Sequence, residues 1–176
     1  MLCTDRGLTS RRNRHSPARR RPRINSGVRP LEMKAAFHFT YEKDWRTAPV
    51  AFWVHVPVPG NADACEPPAP DAVPHLGYAF LRVKIESHEL QFSALAQLDH
   101  FIDVLSRKPL PTSTQLSSRR GLPVGPNGHW LSRLPAALKS PRKREKLVQA
   151  LGEVRAQVAA GPWSNSALQP TAYGRG

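Results

Sequence analysis

The chain has 176 residues and a net charge of +13, from 26 lysines and arginines against 13 acidic residues. This length suits one domain better than two, and it is enough to bury a core without disulfides or a metal. No apolar run approaches the roughly 20 residues that span a bilayer, and no secretory signal stretch is present, so we expect a cytoplasmic protein with no membrane partner. The positive charge instead predicts attraction to nucleic acid or another polyanion.

Residues 1–32 differ in composition from all that follows. Residues 1–31 hold nine arginines, no lysine and a single acidic residue, Asp5, which amounts to +8 of the total charge. We predict a disordered arm over 1–32, because clustered arginines bury too little apolar surface to offset the entropy of ordering. Two interpretations stay open: a nucleic-acid-binding arm, or an upstream extension before a start at Met33. We expect a single domain over 33–161 and a disordered tail over 162–176.

Alternating apolar residues predict a β-hairpin after Met33. From Ala35 to Tyr41 every second residue is apolar and faces one side, which is typical of a half-buried strand. A loop over 42–49 follows. The β-branched and aromatic run 50–58 then repeats the same period and is the strongest strand pattern in the chain. We expect these two strands to pair antiparallel.

Two more strands are predicted beyond a proline-rich segment. Residues 57–74 contain six prolines and predict an exposed loop. Residues 77–86 predict a third strand, in which Ala79, Leu81, Val83 and Ile85 share one face. A tight turn at 87–88 leads into a short strand over 89–92.

Helical periodicity dominates the second half of the chain. An apolar stripe from Leu95 to Leu105 predicts a helix with Ser93 as its N-cap, which ends before Pro109. The loop 109–128 contains one helical turn near 114–119, and a short helical segment over 129–138 is interrupted at Pro135. The last helix begins at Ser140, with proline in its first turn, and runs to Gly161; its buried stripe is Leu147, Leu151, Val154 and Val158.

Together these elements predict an α+β fold. We expect a three- to four-stranded, mainly antiparallel sheet followed by two main helices and a short helical segment. The helix that starts near Ser93 should pack on the sheet face that bears Phe37, Phe39, Val54, Val56, Leu81 and Val83.

The opposite face of the predicted sheet carries aromatic rings beside cations. Its residues are His38, Thr40, Trp53, His55, Tyr78, Phe80, Arg82 and Lys84. Rings flanked by cations on a sheet suit base stacking and phosphate contact. We therefore predict nucleic-acid contacts by Trp53, Tyr78, Phe80, Arg82 and Lys84. The alternatives are that the C-terminal helices cover these rings as a second core layer, or that the rings join a protein partner.

A second candidate site lies at the start of the last helix. Cations cluster there, where acidic residues would complement the helix dipole: Lys139, Arg142, Lys143, Arg144 and Lys146. By helical angle, Arg142 and Lys146 face solvent, while Lys143 and Arg144 flank the apolar stripe. Backbone N–H groups together with these cations would bind phosphate. The alternative is a solvated charge run partly offset by Glu145.

Patterns that would indicate catalysis or a cofactor are absent from the sequence. His38 and His55, with Cys65, His75 or His88, could supply zinc ligands, but no pair has the spacing of a zinc motif. Asp99, His100 and Asp103 could act as acid–base groups, but the polar face of a helix favours simple solvation. We expect no cofactor and no metal, and we disfavour an enzyme.

The stretch His129-Trp130-Leu131-Ser132-Arg133-Leu134-Pro135, followed by residues 143–148, resembles segments of small uncharacterised bacterial proteins. The resemblance covers about a fifth of the chain and implies a bacterial cytosolic protein associated with mobile DNA. The sequence thus predicts a non-enzymatic nucleic-acid-associated module. The alternative is a protein–protein interaction or assembly module that uses the aromatic sheet face.

Overall fold

A computed structural model of the chain describes residues 33–118, 128–159 and Trp163. All of these residues belong to the same structural unit. The predicted arm over 1–32, the end of the last helix at Gly161 and the predicted tail, Trp163 excepted, lie outside the described residues.

The long strand β5 (Gly77–Ile85) forms the centre of a four-stranded antiparallel sheet. Strand β1 (Ala35–Glu42) pairs along its whole length on one side. On the other side, β6 (His88–Phe92) pairs with the second half of β5, while β4 (Ala72–Val73) pairs with its first two residues. The predicted first, third and fourth strands are therefore confirmed, and the third strand is central because it pairs with other strands along both of its edges.

The start of β5 requires glycine. Gly77 has a φ of +94°, which side-chain-bearing residues rarely adopt, and an added Cβ would lie 2.4 Å from the carbonyl oxygen of Glu42. The absence of a side chain lets the end of β1 and the start of β5 approach closely.

The predicted second strand over 50–58 is wrong. Residues Ala51–Val54 form the short helix α1, and only Val56–Val58 form a strand, β2, which pairs with β3 (Asn61–Glu66) in a separate two-stranded sheet. Val50 and Trp53, three residues apart, enter the core between the sheet and the helices. Ala51 and His55, four residues apart, lie against Trp45 on the other side. Only a helical turn lets the segment contact both surfaces.

The predicted loop over 57–74 is also wrong in part, because it contains β3 and β4. The sequence of β3 alternates small apolar and polar residues, a weak strand pattern beside six prolines. Pro57 has no backbone N–H to donate, which is tolerated in a short two-stranded ribbon.

Two long helices cover one face of the four-stranded sheet, as expected for the α+β class. They are α2 (Leu95–Ser106) and α6 (Pro141–Val158). Between them lie the short helices α3 (Ser113–Ser118), α4 (Trp130–Arg133) and α5 (Ala136–Lys139). Pro135 separates α4 from α5, as predicted.

The main core lies between this inner sheet face and the helices. Leu81, Val83 and Ile85 supply the sheet side and are fully buried. The predicted stripe of α6 is confirmed, since all four of its residues are buried. Phe37 and Phe39 pack at the edge of the core, whereas Val56 is exposed, contrary to prediction.

Ser93 is not the N-cap of α2; Ala94 occupies that position. The Ser93 hydroxyl donates to the Trp45 carbonyl at 2.9 Å and accepts from the Gln97 amide at 2.8 Å, while the Gln97 oxygen accepts from the Ser93 N–H. These buried bonds tie the start of α2 to a 3-10 turn, Trp45–Thr47.

Candidate functional site

The predicted aromatic surface of the sheet is not formed. Phe80 does point to the outer face, but it is only 1% exposed. It is covered by an outer cluster whose buried members are Trp45, Ala48 and Ala51, with Cys65, Ala69 and Tyr78 at its edge. The cover therefore comes from the segment after β1 and from β3, not from the C-terminal helices. Phe80 cannot stack on a base in this arrangement.

Trp53 is excluded as a stacking residue as well. Its side chain belongs to the main core, where its ring centroid lies 4.4 Å from that of His129. Tyr78 is half-buried beside the outer cluster. Trp53 and Phe80 are equally inaccessible to a protein partner.

Arg82 holds three strands together on the outer face. Its guanidinium donates to Thr40 at 2.9 Å, to Glu42 at 3.0 Å and to Glu89 at 2.8 Å. The hydrogen bond from Arg82 lowers the pKa of the Glu89 carboxyl, and the same contacts raise the pKa of Arg82. Two carboxylates thus balance this cation, while the neighbouring Lys84 is exposed.

The predicted cations at the start of α6 differ in how exposed they are to solvent. Arg144 is only 6% exposed and is not a surface cation, which corrects its place in the predicted site. Lys143 is exposed and donates to Glu86 at 3.2 Å. Arg142 is exposed, and Lys146 lies one turn further along the same helix and is half-buried. Lys139, at the end of α5, donates to the Ser132 carbonyl at 3.4 Å.

The first turn of α6 has no internal source of negative charge. It contains no acidic residue, and Ser140, although it is the N-cap as predicted, makes no capping hydrogen bond. Its hydroxyl donates instead to the Ala137 carbonyl. Glu145 accepts from Lys108 at 2.6 Å, and this contact lowers the pKa of Glu145. We call four cations at this point the cationic end of α6. They are Lys139, the last residue of α5, and Arg142, Lys143 and Lys146 of α6 itself.

Charge is unevenly distributed along the chain. Residues 33–106, which contain the sheets and α2, hold five lysines and arginines against nine acidic residues, a net charge of −4. Residues 107–159 hold eleven against two, a net charge of +9. The cationic end of α6 is part of this second half.

His129 and His55 are buried and His100 is half-buried, and all three make structural contacts. His129 caps α4, because its Nδ1 accepts from the Leu131 N–H at 3.1 Å, and burial lowers its pKa to about 4. His100 accepts from the Trp130 indole at 3.4 Å, and burial lowers its pKa too. Nδ1 of His55 donates to the Pro67 carbonyl at 2.9 Å, and burial lowers the pKa of His55.

The side chains considered as zinc ligands or as acid–base groups are also placed by the structure. His38 and His55 are not neighbours, since the segment after β1 does not pair with it. Within the described ranges, no group of three His, Cys, Asp or Glu side chains is placed to hold a metal. Asp99 pairs with Arg155 of α6 at 2.8 Å, and Asp103 pairs with Arg107 in the next turn of α2.

A cavity of about 530 Å³ lies beside the outer cluster, and no pattern in the sequence predicted it. It depends on α1 and the β2–β3 ribbon, which the periodicity did not predict. The cavity is lined by Trp45, Arg46, Ala51, Phe52, His55, Val56, Pro57, Asp63, Ala64, Cys65 and Ala69.

Comparison of the chain with protein-family models, with curated proteins and with solved structures gave no match. In the part of the chain that the structure describes, every helix is too short or too polar to cross a membrane.

Proposed function

We propose that this protein is a non-enzymatic module that binds nucleic acid through the cationic end of α6. The local excess of positive charge supports the proposal: the first turn of α6 contains no acidic residue, and Arg142 and Lys143 are exposed there. Such an excess attracts a polyanion to this surface.

Binding at this surface uses phosphates and not bases. Trp53 and Phe80 are buried, and Arg82 is held by two carboxylates, so the predicted stacking residues make no contribution. Three or four cations remain at the end of α6. Each phosphate of duplex DNA that a cation neutralises contributes about −0.9 to the slope of log K against the logarithm of the salt concentration. We therefore expect a slope near −3 from this surface.

The ion pair between Lys143 and Glu86 does not prevent this role. Both side chains are nearly half exposed, and the donor–acceptor distance is 3.2 Å. Exposed pairs of this kind contribute about 0–1 kcal/mol and are screened by salt. A phosphate therefore competes with Glu86 for Lys143.

The test compares two charge-reversed forms of the full-length chain. The first carries R142E, K143E and K146E at the end of α6. The second carries K34E, K43E and K84E, which are exposed lysines outside it and give the same change in net charge. Binding of a labelled 20-base-pair duplex is measured by fluorescence anisotropy from 50 to 300 mM salt. We expect the first form to lose at least about tenfold in affinity and about three units of salt slope, and the second form far less.

Equal losses in the two forms would show a general charge effect and overturn the proposal. The arginine-rich arm is examined separately, with a chain that begins at Met33. If that chain does not bind the duplex at 50 mM salt, the arm carries the affinity and α6 does not.

A further inference from the structure

The cavity beside the outer cluster has the properties of a ligand site. Its volume of about 530 Å³ lies within the usual range of 300–1,000 Å³ for small-molecule pockets. It lies between the 3-10 turn with α1 on one side and the β2–β3 ribbon on the other. Helix α6 packs on the opposite face of the sheet, so this cavity is separate from the proposed phosphate-binding surface.

The walls of the cavity suit a flat ring. Phe52 contributes an aromatic ring that is 53% exposed, whereas Trp45 is only 7% exposed and forms a buried wall of the cavity. The lining residues Ala51, Ala64, Cys65 and Ala69 are small and leave space beside those rings. An exposed aromatic ring gains free energy when another apolar surface covers it, and planar rings make the largest contact.

Two charged side chains of opposite sign line the same cavity. The guanidinium carbon of Arg46 lies 5.0 Å from the centre of the Trp45 ring. The Arg46 side chain is 70% exposed, and its ion pair with Asp44 is long, at 3.7 Å, so a ligand can compete for it. Asp63 comes from β3 on the other side. Arginine only donates hydrogen bonds and an ionised carboxylate only accepts them, so a ring that satisfies both must carry acceptors and donors on its edge.

We propose that this cavity binds a single purine base of the guanine type. Guanine carries the acceptors O6 and N7 for a guanidinium, and N–H donors at N1 and N2 for a carboxylate. Its ring system lies against the exposed ring of Phe52. This site would give the protein a base contact that the end of α6 cannot supply.

The experiment uses the nucleosides guanosine, inosine and adenosine with the full-length chain, and isothermal titration calorimetry as the readout. Nucleosides carry no phosphate, so the result is independent of the α6 surface. We expect guanosine to bind at submillimolar concentration, inosine more weakly because it lacks the N2 amine, and adenosine about tenfold more weakly than guanosine.

Two pairs of variants locate the site. R46Q and D63N are expected to weaken guanosine binding by about tenfold each. R133Q and E153Q change exposed charges outside the cavity and should leave guanosine binding unchanged. All four positions are exposed, so folding is retained, and circular dichroism checks this.

No heat of binding at millimolar guanosine would overturn the inference, and so would equal losses in the two pairs. Equal affinity for adenosine and guanosine would also overturn it, because the guanine edge would then have no role. Each of these failures leaves duplex binding by α6 intact, so the two proposals are tested separately.

Discussion

The two faces of the four-stranded sheet are covered in different ways. The inner face is covered along its length by α2 and α6, and its residues Leu81, Val83 and Ile85 are completely buried. Among the described residues, the small outer cluster covers the outer face over Phe80, and further along this face is held by the polar contacts of Arg82. The difference shows that apolar residues on both sides of a strand do not imply equal layers on both sides of its sheet.

The largest expected effect comes from a comparison of Leu81 and Phe80, neighbours in β5 that lie on opposite faces of the sheet. L81A leaves a cavity in the main core and should lower the free energy of unfolding by about 4 kcal/mol. F80A removes a larger side chain, but the half-buried residues and the cavity beside the outer cluster let the site relax, so we expect about 2–3 kcal/mol. Urea denaturation measures both. A greater loss for F80A would mean that the outer layer is as tightly packed as the inner one.

The second prediction concerns acid stability on the inner side. His129 stays neutral in the folded protein because burial lowers its pKa to about 4, whereas the unfolded chain takes up a proton near pH 6.5. Stability is therefore fully present above pH 6.5 and falls as the pH is lowered toward 4, by about 3 kcal/mol from this group. Lowered pKa values of His55 and His100 act in the same direction.

H129N is the matched control for this prediction. Asparagine retains an acceptor that can cap α4 but does not titrate, so the loss of stability between pH 6.5 and 4 should become smaller. Thermal unfolding followed over this pH range is the measurement. An unchanged pH dependence in H129N would assign the effect to other groups.

The third prediction concerns the close approach of β1 and β5. G77A places a Cβ 2.4 Å from the Glu42 carbonyl oxygen at a φ of +94°. The strain should cost about 1–3 kcal/mol. G60A is the matched control, since that position also has a positive φ but nothing lies within 4 Å of its added Cβ. Chemical denaturation of both variants separates backbone strain from the steric contact. Equal losses in the free energy of unfolding would show that the contact with the Glu42 carbonyl oxygen has no measurable cost.

The smallest predicted effect comes from the polar part of the outer face. R82M removes the hydrogen bonds to Thr40, Glu42 and Glu89 while it keeps most of the side-chain volume. Because this side chain is partly exposed, we expect a loss of only about 1 kcal/mol, smaller than that of F80A. A loss as large as that of L81A, measured by urea denaturation, would show that the ion-pair network stabilises the sheet as much as the core does.

Much of the architecture could be predicted because it follows from local periodicity. The strands β1, β5 and β6 and the helices α2 and α6 each bury one continuous face, so their spacing of apolar residues matches their structure. The segment 50–58 is an exception, because its local periodicity does not match its structure. Its alternation of Val and Phe favours a strand, but Val50 and Trp53 enter one core while Ala51 enters the other cluster.

The candidate site was predictable only in part. The cluster of cations at the start of α6 is visible in the sequence, whereas the burial of Arg144 is not, because it depends on what packs beside the helix. Likewise, the sequence places Phe80 and Arg82 on the same outer face but does not reveal that one is covered and the other is paired with carboxylates. The cavity near Trp45 is built from segments distant in the chain.

By itself, the sequence determined the α+β class, the long strand over 77–85, the two long helices and the concentration of positive charge after residue 107. These depend on composition and on contacts between residues close in the chain. The tertiary structure alone decided the helical form of 51–54, the cover over Phe80 and the cavity lined by Arg46 and Asp63. Each of these requires segments far apart in sequence to meet, and the free energy of that contact outweighs the local preference of the residues.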